Sequence, residues 1–89
     1  LKTAGRKFKM IKDNLWKALK QCMFYSNIET TIDDDTSLLH TIGLDSIQLL
    51  EFIVNIEKVM EFKIDFELLS IDDFDSINSL TKALNNQEK

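Results

Sequence analysis

With 89 residues, 44% of them apolar, the chain can build one core of its own but not an enzyme with separate cofactor and substrate lobes. It has no Pro, two Gly, one Cys and no apolar run near the about 18 residues of a membrane span, which excludes collagen-like, low-complexity, disulfide-scaffold and transmembrane classes; the lack of a Cys/His cluster excludes a zinc module. The net charge of −4 is uneven: residues 1–20 hold seven cations against Asp13, a net +6, and residues 21–89 hold four lysines against fourteen acids, a net −10. An acidic body of this kind disfavours nucleic acid and anionic membranes and favours basic protein surfaces. The lone Cys22 fits a reducing compartment, and a cytoplasmic location is expected. Leu1 in place of a start methionine, with no signal-peptide pattern after it, suggests a processed or excised piece.

In chain order, residues 1–6 read as a disordered or linker segment, and Phe8, Ile11, Leu15, Ala18, Leu19 and Cys22 then recur at steps of three and four, predicting a helix over about 7–24. Its lysines fill the polar side, which a solvated face explains without a nucleic-acid patch. Residues 26–44 lose the period and gather Asn27, Asp33, Asp34, Asp35, Thr36 and Ser37, while Leu38, Leu39 and Ile42 are spaced to anchor a long structured loop. A second helix is predicted from Asp45 to about Glu61, opened by a capping box between Asp45 and Gln48. Phe62, Ile64, Phe66, Leu68, Leu69 and Ile71 form a connector with one short helical turn. Asp75 or Ser76 then caps a last helix whose core positions are Ile77, Leu80 and Leu84. Residues 86–89 make a polar tail, leaving 7–85 as the domain. The expectation is an all-α four-helix bundle, three main helices plus one short one, with a long first loop.

The second helix carries two apolar stripes. Leu49, Phe52, Ile53, Ile56 and Met60 make a core face, and Ile47, Leu50 and Val54 lie more than a quarter turn away, with Glu51, Glu57 and Glu61 beside or on that second stripe. Either the second stripe packs under the long loop, or it is a partner surface on which apolar area gives contact and carboxylates steer a basic protein. Ser46, at the first position of the helix, puts its hydroxyl beside unsatisfied amides, where a phosphate ester gains about 0.3–1 kcal/mol from the dipole. A serine there is also an ordinary feature of helix starts.

Ile42-Gly43-Leu44-Asp45-Ser46-Ile47, followed by Leu50-Glu51 and Ile56-Glu57, resembles the Gly-x-Asp-Ser-Leu attachment site and recognition helix of the acyl carrier proteins. The similarity runs over about residues 8–85 and includes the Leu38 and Ile42 anchors, the Met60–Ile64 exit from the helix and the Phe74-x-x-Ile77 start of the last one. The resemblance implies a non-catalytic carrier with 4'-phosphopantetheine, taken from coenzyme A, on Ser46, next to Asp45. The thiol of that arm holds acyl groups as thioesters for fatty-acid, polyketide or related biosynthesis. It implies a monomer that serves a phosphopantetheinyl transferase and acyl-loading and acyl-processing enzymes with basic docking surfaces, reached through Ile47, Leu50, Glu51, Val54, Glu57 and Glu61. Gln48 and Lys58 stand where the family commonly has acids. Leu44-Asp45 is more like acyl than peptidyl carriers, which usually place a second glycine before the Asp or His. The alternatives are an aminoacyl or peptidyl carrier, or an unmodified helical interaction module.

Other constellations are weak. Asp75-Ser76-Ile77 repeats the triplet without a glycine before it, so Ser76 reads as a cap. Cys22 and His40 lack a third group to orient them as a dyad. Asp33-Asp34-Asp35 has Leu38 and Leu44 where a calcium loop needs Gly and Glu. Trp16 and Tyr25 read as core or rim residues.

Overall fold

A computed structural model describes residues 2–28, 31–61 and 63–87; Phe62 of the expected connector and Glu88 and Lys89 of the expected tail lie outside them. The described elements are three α-helices, α1 (Lys2–Lys20), α2 (Ser46–Met60) and α3 (Ile77–Gln87), with 3-10 turns at Met23–Asn27, Phe66–Leu68 and Ile71–Phe74 and no strand.

Helix α1 departs from expectation at both ends. It begins at Lys2, so the segment expected as linker is helical from there; residues 2–7 contain no helix breaker beyond Gly5, which costs only about 1 kcal/mol. It stops at Lys20, because the Gln21 amide is shared between the Lys17 and Ala18 carbonyls and Cys22 turns to extended backbone, tightening the chain into the first 3-10 turn. The i, i+4, i+7 face holds as expected: Ile11, Leu15, Ala18 and Leu19 are buried, and α1 packs against both α2 and α3.

The core gathers Leu49, Phe52 and Ile56 of α2 and Ile77, Leu80 and Leu84 of α3 around that face, closed by Leu38 and Leu44 of the loop, Ile64 and Phe74. Ile53 and Met60, expected in the core stripe, are partly buried at its edge. The buried Thr81 hydroxyl donates to the Ile77 carbonyl at 2.6 Å, so its polarity is satisfied inside the helix. Trp16 and Tyr25 lie at the rim, as expected.

The short fourth helix does not form as an α-helix. Asp65 Oδ1 accepts the Glu67 amide at 3.0 Å and Asp73 Oδ2 the Ser70 amide at 2.9 Å, so each turn closes on its own carboxylate, and the exposed Leu68 and Ile71 offer no buried face along which a helix could extend. The long loop is structured as expected, and its aspartates explain how. Asp34 accepts from Trp16 Nε1 at 2.6 Å and pairs with Lys12 Nζ at 3.2 Å, while its carbonyl accepts the Asn78 amide; Asp35 accepts from Asn78 Nδ2 at 2.6 Å. The loop is thereby fastened to α1 on one side and to the start of α3 on the other. The indole hydrogen bond, ahead of the Lys12 charge, holds the Asp34 carboxyl below the usual carboxylate range despite partial burial.

Candidate functional site

The site is built where the loop meets α2. Asp75 accepts from the Ser37 hydroxyl and from the Leu39 amide, and the Ser37 carbonyl in turn accepts the Thr41 and Ile42 amides at 3.0 and 3.1 Å. Gly43 then takes φ +77°, a left-handed conformation that a glycine adopts without steric cost. This turn drives Leu44 into the core, where its amide donates to the Leu38 carbonyl at 3.0 Å. Asp45 is next, in extended backbone as N-cap, and the expected capping box is present: Asp45 Oδ1 accepts the Gln48 amide at 2.8 Å and Gln48 Oε1 accepts the Asp45 amide at 3.0 Å.

Ser46 follows as the first residue of α2 and is exposed. The box satisfies the amides of residues 45 and 48, and the first intrahelical bond, Leu49 N–H to the Asp45 carbonyl at 2.9 Å, satisfies a further one. What remains at the positive end of the dipole are the Ser46 and Ile47 amides beside a hydroxyl with no protein hydrogen-bond partner among the described residues. That combination has the chemistry to accommodate an anionic ester on the serine. Other serines are engaged differently. Ser37 is clamped by Asp75, and Ser26 donates to the Met23 carbonyl. Ser76 and Ser79 exchange hydrogen bonds at 3.1 Å to open α3, so Ser76 is the ordinary cap that its sequence context suggested.

The second stripe of α2 is outside the core. Ile47, Leu50 and Val54 are 77%, 60% and 42% exposed, whereas Ile56 on the first stripe is fully buried. Exposure of this order excludes packing under the loop. The acids beside the stripe are less free than sequence suggested. Glu51 Oε2 accepts the Met23 amide at 2.8 Å and Glu57 Oε2 the Ile64 amide at 2.9 Å, so one fastens the first 3-10 turn and the other the exit from α2. Glu61 is exposed at the C-cap, with φ 57°. The Glu51 contact also brings Met23, 84% exposed, beside the stripe. Sequence reasoning missed that residue, since the predicted first helix ran through it to about residue 24, whereas the chain leaves the helix at Lys20.

Cys22 and His40 show no nucleophilic arrangement. Burial pushes the thiol up, against the lowering effect of the Asn55 amide at 3.3 Å and with a smaller push from the Glu51 charge, and His40 is exposed on the loop. Among the described residues no group of three or more His, Cys, Asp or Glu is placed to hold a metal ion, and no helix is long and apolar enough to cross a membrane.

Against known families, residues 26–84 match the family described as phosphopantetheine attachment site. The chain belongs to that family. No curated protein sequence and no solved structure gives a significant match. A phosphopantetheine attachment domain bears 4'-phosphopantetheine covalently on a serine, works with a phosphopantetheinyl transferase and other enzymes, and is in general a carrier without catalysis of its own. The residues at the start of α2 fit such a group: an exposed hydroxyl and two amides, none with a protein partner among the described residues, after a glycine whose left-handed φ makes the turn into the helix.

Proposed function

We propose that the chain is an acyl carrier in which Ser46 is the attachment serine, Asp45 fixes the helix start that presents it, and Ile47, Leu50, Glu51, Val54, Glu57 and Glu61 form the docking face for basic enzyme surfaces. The observation that carries this reading is the Ser46 hydroxyl, exposed and without a partner among the described residues at the capped, amide-rich end of a 15-residue helix. When bound, the arm supplies a thiol that activates its cargo as a thioester. The protein's own part is positional: the capping box orders the first turn, the Ser46 and Ile47 amides face the phosphate, and the exposed stripe gives contact area. The buried Leu44, where peptidyl carriers usually have a glycine, supports acyl over aminoacyl cargo. Biosynthesis of fatty acids, polyketides or related compounds is the setting proposed, by a monomeric, cytoplasmic carrier domain with no catalysis of its own.

Intact mass before and after incubation with coenzyme A and a broad-specificity transferase tests the assignment. One arm is expected on the wild type and on Ser76→Ala, and none on Ser46→Ala. Retention of the mass gain in Ser46→Ala would move the site elsewhere. No gain in any variant would favour the unmodified interaction module.

A further inference from the structure

Beside the start of α2, on the side of the long loop, lies a cavity of about 310 Å³, at the low end of the range of about 300–1,000 Å³ that ligand pockets occupy. One part of its wall is apolar, formed by Phe24, Ile28 and Ile42, all anchored on the core. The other part is polar, formed by Asn27, Thr41 and Gln48. Gln48 gives its Oε1 to the capping box, which leaves the two Nε2 donors uncommitted by that box, and the Thr41 hydroxyl has no protein partner among the described residues. The wall also includes Leu44, two residues before Ser46, as Gln48 is two residues after it, so the cavity borders the turn from which the proposed attachment point rises.

A second hollow borders α2 at its far end, lined by Val54, Glu57, Lys58, Glu61 and Lys63. It begins eight residues beyond Ser46, about 12 Å along the axis at 1.5 Å per residue, and four of its five lining residues are charged. The loop-side cavity is thus lined by residues two positions either side of Ser46, and the far one by none within seven. The part of a phosphopantetheine arm next to its phosphate is the pantoyl unit, which carries a geminal dimethyl group, a hydroxyl and an amide. That pairing of a compact branched hydrocarbon with hydrogen-bonding groups matches a small cavity with one apolar and one polar wall.

We propose that the loop-side cavity is the docking site for the pantoyl end of the arm, with the dimethyl group against Phe24, Ile28 and Ile42 and the hydroxyl and amide toward Thr41, Asn27 and Gln48. The inference rests on the reading of Ser46 as the attachment serine and adds which way the arm leaves it: toward the long loop, away from the exposed stripe of α2. Docked there, the proximal arm leaves Ile47, Leu50 and Val54 uncovered for a partner.

The test uses the full chain loaded by a transferase from coenzyme A carrying ¹³C in the pantoyl methyl groups, with intact mass measured first. Expected are nuclear Overhauser contacts from those methyls to the Phe24 ring and the Ile28 and Ile42 methyls, together with shifts of the amides of residues 24–28 and 41–43 relative to the unloaded protein. In Thr41→Phe, which fills the cavity from an exposed position, those contacts should be absent from the protein whose mass shows the arm. A normal mass gain with changes confined to residues 44–48, or with contacts to Val54 or Lys58 instead, overturns the docking site and leaves the carrier reading standing. Absence of any mass gain overturns both.

Discussion

The two stripes of α2 differ in burial over two residues of sequence, and paired truncations measure that difference. Ile56→Ala removes three carbon groups from a fully buried site; at about 0.8 kcal/mol each this is about 2.4 kcal/mol, and the cavity left behind brings the cost to about 3–4 kcal/mol. A domain of 89 residues has a stability of about 4–13 kcal/mol, so one truncation removes a quarter or more of it. Val54→Ala removes two carbon groups from a side chain that is already 42% exposed and leaves no closed cavity, so its cost is below about 1 kcal/mol. With a urea slope of about 1 kcal/mol per molar for so small a domain, the Ile56 variant should lose about 3 M or more of midpoint, or fail to fold, and the Val54 variant less than about 1 M. Transferase or acyl-loading kinetics on folded Val54→Ala should show the defect instead. Equal midpoint losses in the two variants would refute the division into core stripe and docking stripe.

Charge and fastening at the docking face are separated by Glu51→Gln with Glu57→Gln, which keep an acceptor oxygen for the Met23 and Ile64 amides while removing two charges. The double variant should keep its helical circular dichroism and be loaded more slowly by a transferase at low salt, the difference fading as the Debye length falls from about 10 Å at 0.1 M; a salt-independent difference would assign the effect to structure. Asp34, held below the usual carboxylate range by Trp16 and Lys12, contributes stability that is complete above its unfolded pKa and is lost as pH falls through the lower folded one. Asp34→Asn should therefore be less stable than wild type at pH 7, with the gap closing below about pH 4, and a gap constant down to pH 3 in urea midpoints would show that the carboxylate charge is not what fastens the loop.

Helix content and core were legible where a period repeats: α1, α2 and α3 each declare a buried face, and Asp45 with Gln48 declares the start of α2 at the residue where it occurs. The turn into α2 was legible because Gly43, Asp45 and Ser46 act within one turn of backbone. What escaped the sequence are contacts between distant segments. Nothing near residue 34 says that its carboxylate meets Trp16 and its carbonyl Asn78, and nothing around Asp75 says that its carboxylate holds Ser37. In the connector the apolar spacing announces a short helical turn, and two 3-10 turns form there, on which the Asp65 and Asp73 side chains close.

Glu51 and Glu57 link the proposed docking face to the fold. An acidic residue that steers a partner is usually a free side chain, and fixing it on binding costs about 0.5–1.5 kcal/mol of lost rotamer freedom. Here one oxygen of each carboxylate is already held by a backbone amide, so that ordering is largely complete before a partner arrives, and the other oxygen remains to accept from a cation. The same arrangement makes charge reversal at either position a poor probe. Lysine offers no acceptor, so Glu57→Lys strips the Ile64 amide of its partner at the exit of α2, where Ile64 itself is buried in the core. A slower reaction in that variant would mix lost steering with a loosened connector, and only the glutamine substitutions keep the two apart.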